Sequence, residues 1–172
     1  MPPFIYGGRY MMNKYKIDYQ SPIGIIEITG TEKVITSVLF ADREKVEYGF
    51  YEDFPEFMKM CYQQFEAYFA GNLQSFRFPY EVKGTAFQKD VWTALTTIPF
   101  AQTASYLDIA KAIDNHKAIR AVGSANSKNQ ISIAVPCHRI IGSNGKLTGY
   151  AGGLWRKKWL LEHEARIAAA NK

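Results

Sequence analysis

Cysteine is scarce: 172 residues contain two, Cys61 and Cys137, far apart in the chain. That excludes a disulfide framework and suits a reducing compartment, where a reactive thiol survives. Long apolar runs are missing as well. Nothing approaches the roughly 18 to 20 residues needed to span a bilayer, and Met1 to Tyr10 lacks the basic start and apolar stretch of a signal peptide. A cytoplasmic protein without a membrane partner is expected. The signature of disorder is absent too, because 47% hydrophobic and 22% charged residues with a net charge of +5 describe a folded chain. The length admits one large domain or two small ones, with a core that forms without disulfides or structural metals.

What is present is unevenly distributed. Residues 1–80 carry 8 Lys/Arg against 10 Asp/Glu, net −2, whereas residues 81–172 carry 13 against 6, net +7. All three histidines, His116, His138 and His163, lie in the basic half. Such a half beside a mildly acidic one suggests a polyanion-binding domain on a neutral scaffold.

Met1 to Asn13, with Pro, Gly, Tyr and Met but no period and with Met11-Met12 as an alternative start, reads as a disordered or cloning-derived leader. From Lys14 the pattern predicts three strands in an antiparallel meander: Tyr15, Ile17 and Tyr19 alternate, Ser21-Pro22 breaks the chain before Ile23 to Thr29, and Val34 to Phe40 follows Gly30. Asp53 ahead of Glu56, with Pro55 in the first turn, predicts a helix start. Its apolar stripe is Phe57, Cys61, Phe65 and Phe69, with Gly71-Asn72 closing it, so Cys61 is a core residue. Pro79 and Gly84 lead into a different texture, which places a domain boundary between about Pro79 and Thr85.

Beyond the boundary Thr85 and Gln88 form a capping pair for a helix that Pro99 ends, and Ser105 with Asp108 repeats the device. A polar turn, Asp114-Asn115-His116, separates this second helix from Ala118 to Asn126. Two short helices around a tight turn resemble a helix-turn-helix. Ile131, Ile133 and Val135 alternate up to Pro136 as a strand, five glycines between Gly142 and Gly153 mark a loop or hairpin, and Trp155 to Ala169 closes the chain as an amphipathic helix.

The candidate chemistry is in Val135-Pro136-Cys137-His138-Arg139, where a thiol, an imidazole and a guanidinium follow one another in an apolar frame. His and Arg favour the thiolate, which is the nucleophilic form. Neighbouring side chains of extended backbone point apart, so a water is expected between His138 and the sulfur. A base works best when a third group orients it, and Glu164 in the closing helix is the candidate, although taken alone it reads as a surface charge paired with a nearby Lys. His163 reads as a helix-surface residue.

Residues 14–168 resemble the O6-alkylguanine-DNA alkyltransferases, the methylated-DNA–protein-cysteine methyltransferase family. The resemblance is carried by Val135-Pro136-Cys137-His138-Arg139 and, in order, by Ser21-Pro22-Ile23-Gly24, Gly84-Thr85-Ala86-Phe87-Gln88, Val91-Trp92, Ile98-Pro99, Ser105-Tyr106, Ile109-Ala110, Arg120-Ala121-Val122-Gly123, Asn126, Asn129, Gly149-Tyr150, Gly152-Gly153 and Leu160-Leu161 with Glu164. It implies an α+β protein in two domains. Residues 14–79 form a small antiparallel sheet with a helix, ribonuclease H-like, and residues 85–168 a winged-helix-like DNA-binding domain. It implies Cys137 as alkyl acceptor, His138 as base through water, Glu164 as its orienter, Asn129 as the asparagine holding the loops, and Tyr106 as the tyrosine that crowds the phosphate and donates to the guanine. Arg120 is implied to enter the duplex, with Ala121, Gly123, Asn126 and Arg139 on the DNA-binding side. Tyr150 and Lys157 line or support the pocket, and the backbone of Val135, Cys137, Ile140 and Ala151 reads the base edge.

The implied partner is double-stranded DNA containing O6-alkylguanine, met by a monomer that needs no cofactor and transfers one alkyl group per molecule. With Cys61 alone and no histidine in the first half, no zinc site is expected. The chain departs from the family pattern at Asp114 and His116, where Gly and Pro are usual, at Ser127 after Asn126, and at Gln130 in place of Pro. Two other classes compete. A lesion sensor or regulator would bind through the paired helices without chemistry, but non-catalytic relatives lack the cysteine. A cysteine hydrolase would need a better placed histidine than one adjacent to the thiol.

Overall fold

The computed structural model describes residues 14–172 and, by backbone alone, Ile5–Tyr6 (β1) and Arg9–Tyr10 (β2), which pair antiparallel. The leader expected over 1–13 otherwise lies outside the described residues. The chain divides into two compact units, Met1–Glu81 and Val82–Lys172.

In the first unit β3 (Tyr15–Ser21), β4 (Gly24–Gly30) and β5 (Ile35–Phe40) form an antiparallel meander, as the alternation predicted. The Ser21 hydroxyl, donating to Gly24 O at 2.6 Å, closes the turn between the first two strands. Tyr80 adds a parallel bridge to Ile35 beside β5. Helix α1 (Glu56–Phe69) lies on β3 and β4 and buries Met58, Cys61, Phe65 and Tyr68 on the side of the sheet that carries Ile17, Ile26 and Ile28. The buried face is thus turned from the expected stripe: Phe57 and Phe69 are only half-buried. The start differs also, since Pro55 occupies the cap position and no side chain caps the helix. Asp18, buried in β3, binds Arg43 and accepts the Glu47 and Tyr48 amides at 2.8 and 3.1 Å, which pins the loop after β5. Burial alone would raise its pKa, but the Arg43 bond and the two amides outweigh that and hold it below the usual carboxylate range.

The second unit opens with α2 (Ala86–Leu95) and continues through the two-residue β6 (Ala104–Ser105) into α3 (Tyr106–Ala112). Both predicted capping boxes are present, Thr85 with Gln88 and Ser105 with Asp108. After a turn in which Asp114 takes φ +60°, α4 (Ile119–Ser127) packs on α2 and α3, and the Trp92 indole ties the bundle together by donating to Ala125 O at 2.8 Å. A 3₁₀ turn, Cys137–Arg139, feeds β7 (Ile140–Ile141), which pairs parallel with β6. A glycine-rich loop then leads to α5 (Leu154–Ala170), which packs on the Cys137 turn.

Two expectations fail here. Residues 131–135 are not a strand. Ile131, Ile133 and Val135 are all buried, but the backbone coils: Ala134 N–H bonds Ser132 O across Ile133, at φ +71°, and Cys137 N–H bonds Val135 O across Pro136, at φ −82° and ψ +62°. Apolar alternation followed by proline therefore marked burial rather than an extended segment. His163 is 3% exposed, not on the surface; its ring stacks on Trp159 at 4.8 Å, one turn away on α5.

Candidate active site

The 3₁₀ turn sends Cys137 toward Asn129 and the next two residues, His138 and Arg139, together toward Glu164, whereas neighbouring side chains of an extended segment would point apart. The tight turn buries all of them. Cys137 is 5% exposed, and its sulfur accepts the Asn129 amide (Nδ2) at 3.1 Å. The same amide donates to Val135 O at 2.8 Å and Ile131 O at 3.2 Å, while Asn129 Oδ1 accepts Ile131 N–H at 3.0 Å. One asparagine thereby fixes the coil on which the thiol sits. Asn126, one turn earlier on α4, donates to Cys137 O at 3.4 Å.

His138 and Arg139 both reach Glu164 of α5. His138 Nε2 lies 2.9 Å from Glu164 Oε1, and Arg139 donates from Nε at 3.0 Å to Oε2 and from Nη2 at 2.7 Å to Oε1. Arg139 Nη1 donates to Ile98 O at 2.8 Å, and the Ala101 amide, carried by a residue at φ +62°, approaches Glu164 Oε2 at 3.3 Å. Burial would raise the Glu164 pKa, but hydrogen bonds from His138 and Arg139 and the Arg139 charge prevail and hold it well below the usual carboxylate range. Glu164 is therefore an ionised carboxylate that only accepts, so His138 Nε2 carries the proton in the bond between them. Burial lowers the His138 pKa against the pull of Glu164, which keeps the ring neutral and leaves Nδ1 as a lone pair. That Nδ1 is buried and has no hydrogen-bond partner among the described residues.

The thiol itself is pushed up by burial, with the Asn129 bond and the Lys157 charge acting in the opposite direction. Lys157, fully buried on α5, donates to Thr148 O at 2.8 Å and Gly149 O at 3.4 Å, and burial lowers its pKa to about 8. Tyr106, at the start of α3, donates to the same Thr148 O at 3.1 Å. Burial raises the Tyr150 hydroxyl far above its ordinary value. The site is thus a neutral thiol followed in the chain by a neutral imidazole, which a fully paired anion holds through Nε2.

Of the residues singled out in the sequence, Cys137, His138, Glu164, Asn129, Lys157, Val135 and Ile140 come together here in the interior. Arg139 and Asn126, grouped with the DNA-binding side, instead point inward, onto Glu164 and the Cys137 backbone. The Val135 carbonyl is occupied by Cys137 N–H and Asn129. Arg120, Ala121 and Ala151 are exposed, and Gly123 lies beside the Tyr106 ring, a Cβ there falling 3.6 Å from it. Gln130 brackets the Lys83 backbone, accepting N–H at 3.0 Å and donating to O at 2.6 Å. Sequence reasoning missed Ile98, Ala101 and Thr148, which act mainly through backbone atoms that no residue type announces. Among the described residues no group of three or more His, Cys, Asp or Glu is placed to hold a metal ion, and no helix is long and apolar enough to cross a membrane.

Residues 14–82 match the family described as 6-O-methylguanine DNA methyltransferase, ribonuclease-like domain, and residues 86–166 match its DNA binding domain. A methylated-DNA–protein-cysteine methyltransferase of Methanosarcina acetivorans is 49% identical over 152 residues, covering 87% of this chain and 97% of the relative. Its namesake from Mycolicibacterium paratuberculosis is 45% identical over 153 residues, 88% and 92% of the two chains. Among solved structures, the O6-methylguanine methyltransferase of Mycobacterium tuberculosis superposes with a TM-score of 0.80 at 40% identity, covering 90% of this chain and 94% of that one. A structure of the same organism's protein in complex with DNA gives 0.80 at 41% identity, with 89% and 94% covered.

Proposed function

The chain belongs to the 6-O-methylguanine DNA methyltransferase family, and from that premise we propose that Cys137 is the acceptor through which it repairs O6-methylguanine in DNA. It is a methylated-DNA–protein-cysteine methyltransferase. The observation that carries the assignment to Cys137 is the buried sulfur under the Asn129 amide, next to a neutral imidazole whose second nitrogen is committed to Glu164.

In this reading the substrate is duplex DNA, met by a monomer in the cytoplasm without a cofactor. The methylated base is flipped out of the stack, at a cost of a few kcal/mol. Exposed cations of the second unit hold the phosphates, and Arg120, on the exposed side of α4, fills the gap left in the duplex. The thiol proton passes through a water to His138 Nδ1, and Glu164 stabilises the imidazolium that forms. A sulfur lone pair attacks the methyl carbon, the C–O6 bond breaks, and its electrons pass to the guanine. Tyr106 donates to the base, which leaves neutral, and solvent restores the tyrosine proton. Tyr150 and Lys157 support the pocket, and Ala151 with the backbone of Ile140 borders it. The product thioether offers no carbonyl for water to attack, so each molecule reacts once.

Intact mass after incubation with a duplex carrying one O6-methylguanine tests this reading. Wild type should gain one methyl group and Cys137→Ser none. A gain by the serine variant would move the acceptor elsewhere. An unchanged wild-type mass with preferential binding of damaged DNA would leave a lesion sensor.

A further inference from the structure

Two residues the reaction uses converge on one carbonyl. Lys157 Nζ and the Tyr106 hydroxyl both donate to Thr148 O, at 2.8 and 3.1 Å. The Thr148 hydroxyl in turn donates to the Tyr106 oxygen, also at 3.1 Å. A phenol has one proton to give and an oxygen that accepts. Here a single residue of the glycine-rich loop occupies both capacities. Gly149, at φ +47°, lets the chain turn immediately beyond it, where even a Cβ would stand 3.9 Å from the Tyr106 oxygen.

We propose that Thr148 is a positioning residue for methyl transfer: its carbonyl parks the Tyr106 proton until the base arrives, and its hydroxyl holds the Tyr106 oxygen while that proton is offered to the base. The proposal rests on the reading of Tyr106 as donor to the guanine. Lys157 makes the exchange cheap. When Tyr106 turns its proton away, Thr148 O keeps the Lys157 bond, so no acceptor is stranded. The Thr148 hydroxyl meanwhile faces a phenol oxygen that gains negative charge as its proton moves toward the base, and hydrogen bonds to charged acceptors are the stronger ones. An interaction that strengthens on the way to the transition state raises the rate of the chemical step rather than affinity.

Single-turnover methyl transfer from a duplex with one O6-methylguanine separates these effects, because it yields a maximal rate and a half-saturating DNA concentration. Thr148→Val keeps the branched shape and removes the hydroxyl, and it should lower the maximal rate about five- to tenfold, the worth of one hydrogen bond. Half-saturation should stay within about twofold, as expected when binding is not the affected step. Thr148→Ser, which restores the donor, should recover the maximal rate. In a Tyr106→Phe background the valine change should cost nothing further, because the oxygen it acts on is gone. Wild-type rates for Thr148→Val, a serine variant as slow as valine, or an undiminished valine penalty in the Tyr106→Phe background would each overturn the proposal. Tyr106→Phe alone transferring at the wild-type rate would instead overturn the role of Tyr106 on which it stands.

Discussion

Burying an ammonium group is costly, and Lys157 is buried with backbone carbonyls rather than a carboxylate as its hydrogen-bond acceptors. The cost appears as a pKa of about 8 in place of 10.5. Between those values the unfolded chain binds a proton that the folded chain has released, so stability rises with pH through this window. Below about pH 8 the penalty is fully present. Comparing urea unfolding with Lys157 intact and with Lys157→Met at pH 7 and pH 9, both in a Cys137→Ser background that removes the one thiol coupled to Lys157, isolates the effect, since the uncoupled titrations cancel in the difference. The protein with Lys157 intact should gain about 1 kcal/mol relative to the methionine variant over that interval. Equal gains would mean that the Lys157 charge is solvated in the folded protein. The penalty has a use, because a cation held near Cys137 favours the thiolate. At this scale the site was half legible. Cys137 and His138 stand together in the sequence, but the full pairing of Glu164 depends on Arg139, Ala101 and a carboxylate buried on another element. Spacing along the chain cannot express that.

Elements are legible where local chemistry decides them. Both capping boxes and the three strands follow from side chains within a few residues of one another. The paired helices pose a sharper case, because their turn demands a left-handed residue and the chain supplies Asp114, at φ +60°. Glycine meets no Cβ penalty in that region. Asp114→Gly should therefore raise the stability of the second unit by about 1 kcal/mol, read from the urea midpoint. It also removes a negative charge beside the exposed residues of α4. A lower midpoint would show that the aspartate side chain supplies more than its backbone conformation costs. Illegible elements are those decided by distant packing. The 131–135 segment alternates like a strand, yet Asn129 takes up its carbonyls and coils it. His163 carries no apolar signal, yet inside the fold its ring stacks on Trp159 one turn away and its Nδ1 lies 3.3 Å from Arg166 Nη2. In α1 the phenylalanine spacing pointed to one face, but the sheet selects the neighbouring stripe through Met58 and Tyr68.

For the whole molecule, the charge asymmetry becomes more specific once buried groups are set aside. Of the 13 Lys/Arg in residues 81–172, Arg139 is neutralised by Glu164 and Lys157 is interior. Neither can meet a phosphate. The paired helices and their flanks expose four cations, Lys111, Lys117, Arg120 and Lys128. Each that contacts a phosphate should add about 0.9 to the slope of log affinity against log salt, so full engagement gives a slope of about −3.6 on undamaged duplex. That corresponds to about a 150-fold loss between 50 and 200 mM salt. Replacing Lys111, Lys117 and Lys128 by alanine should flatten the slope to about −0.9, leaving Arg120 as the contact. None of the three touches the sulfur, the imidazole or Tyr106 among the described hydrogen bonds, so methyl transfer at saturating DNA and low salt should proceed at the wild-type rate. A slope unchanged by the triple substitution would place the phosphate contacts away from these helices. A slope that flattens together with a slower maximal rate would mean that phosphate contacts also help drive nucleotide flipping, which would show as a commitment step before the chemistry at Cys137.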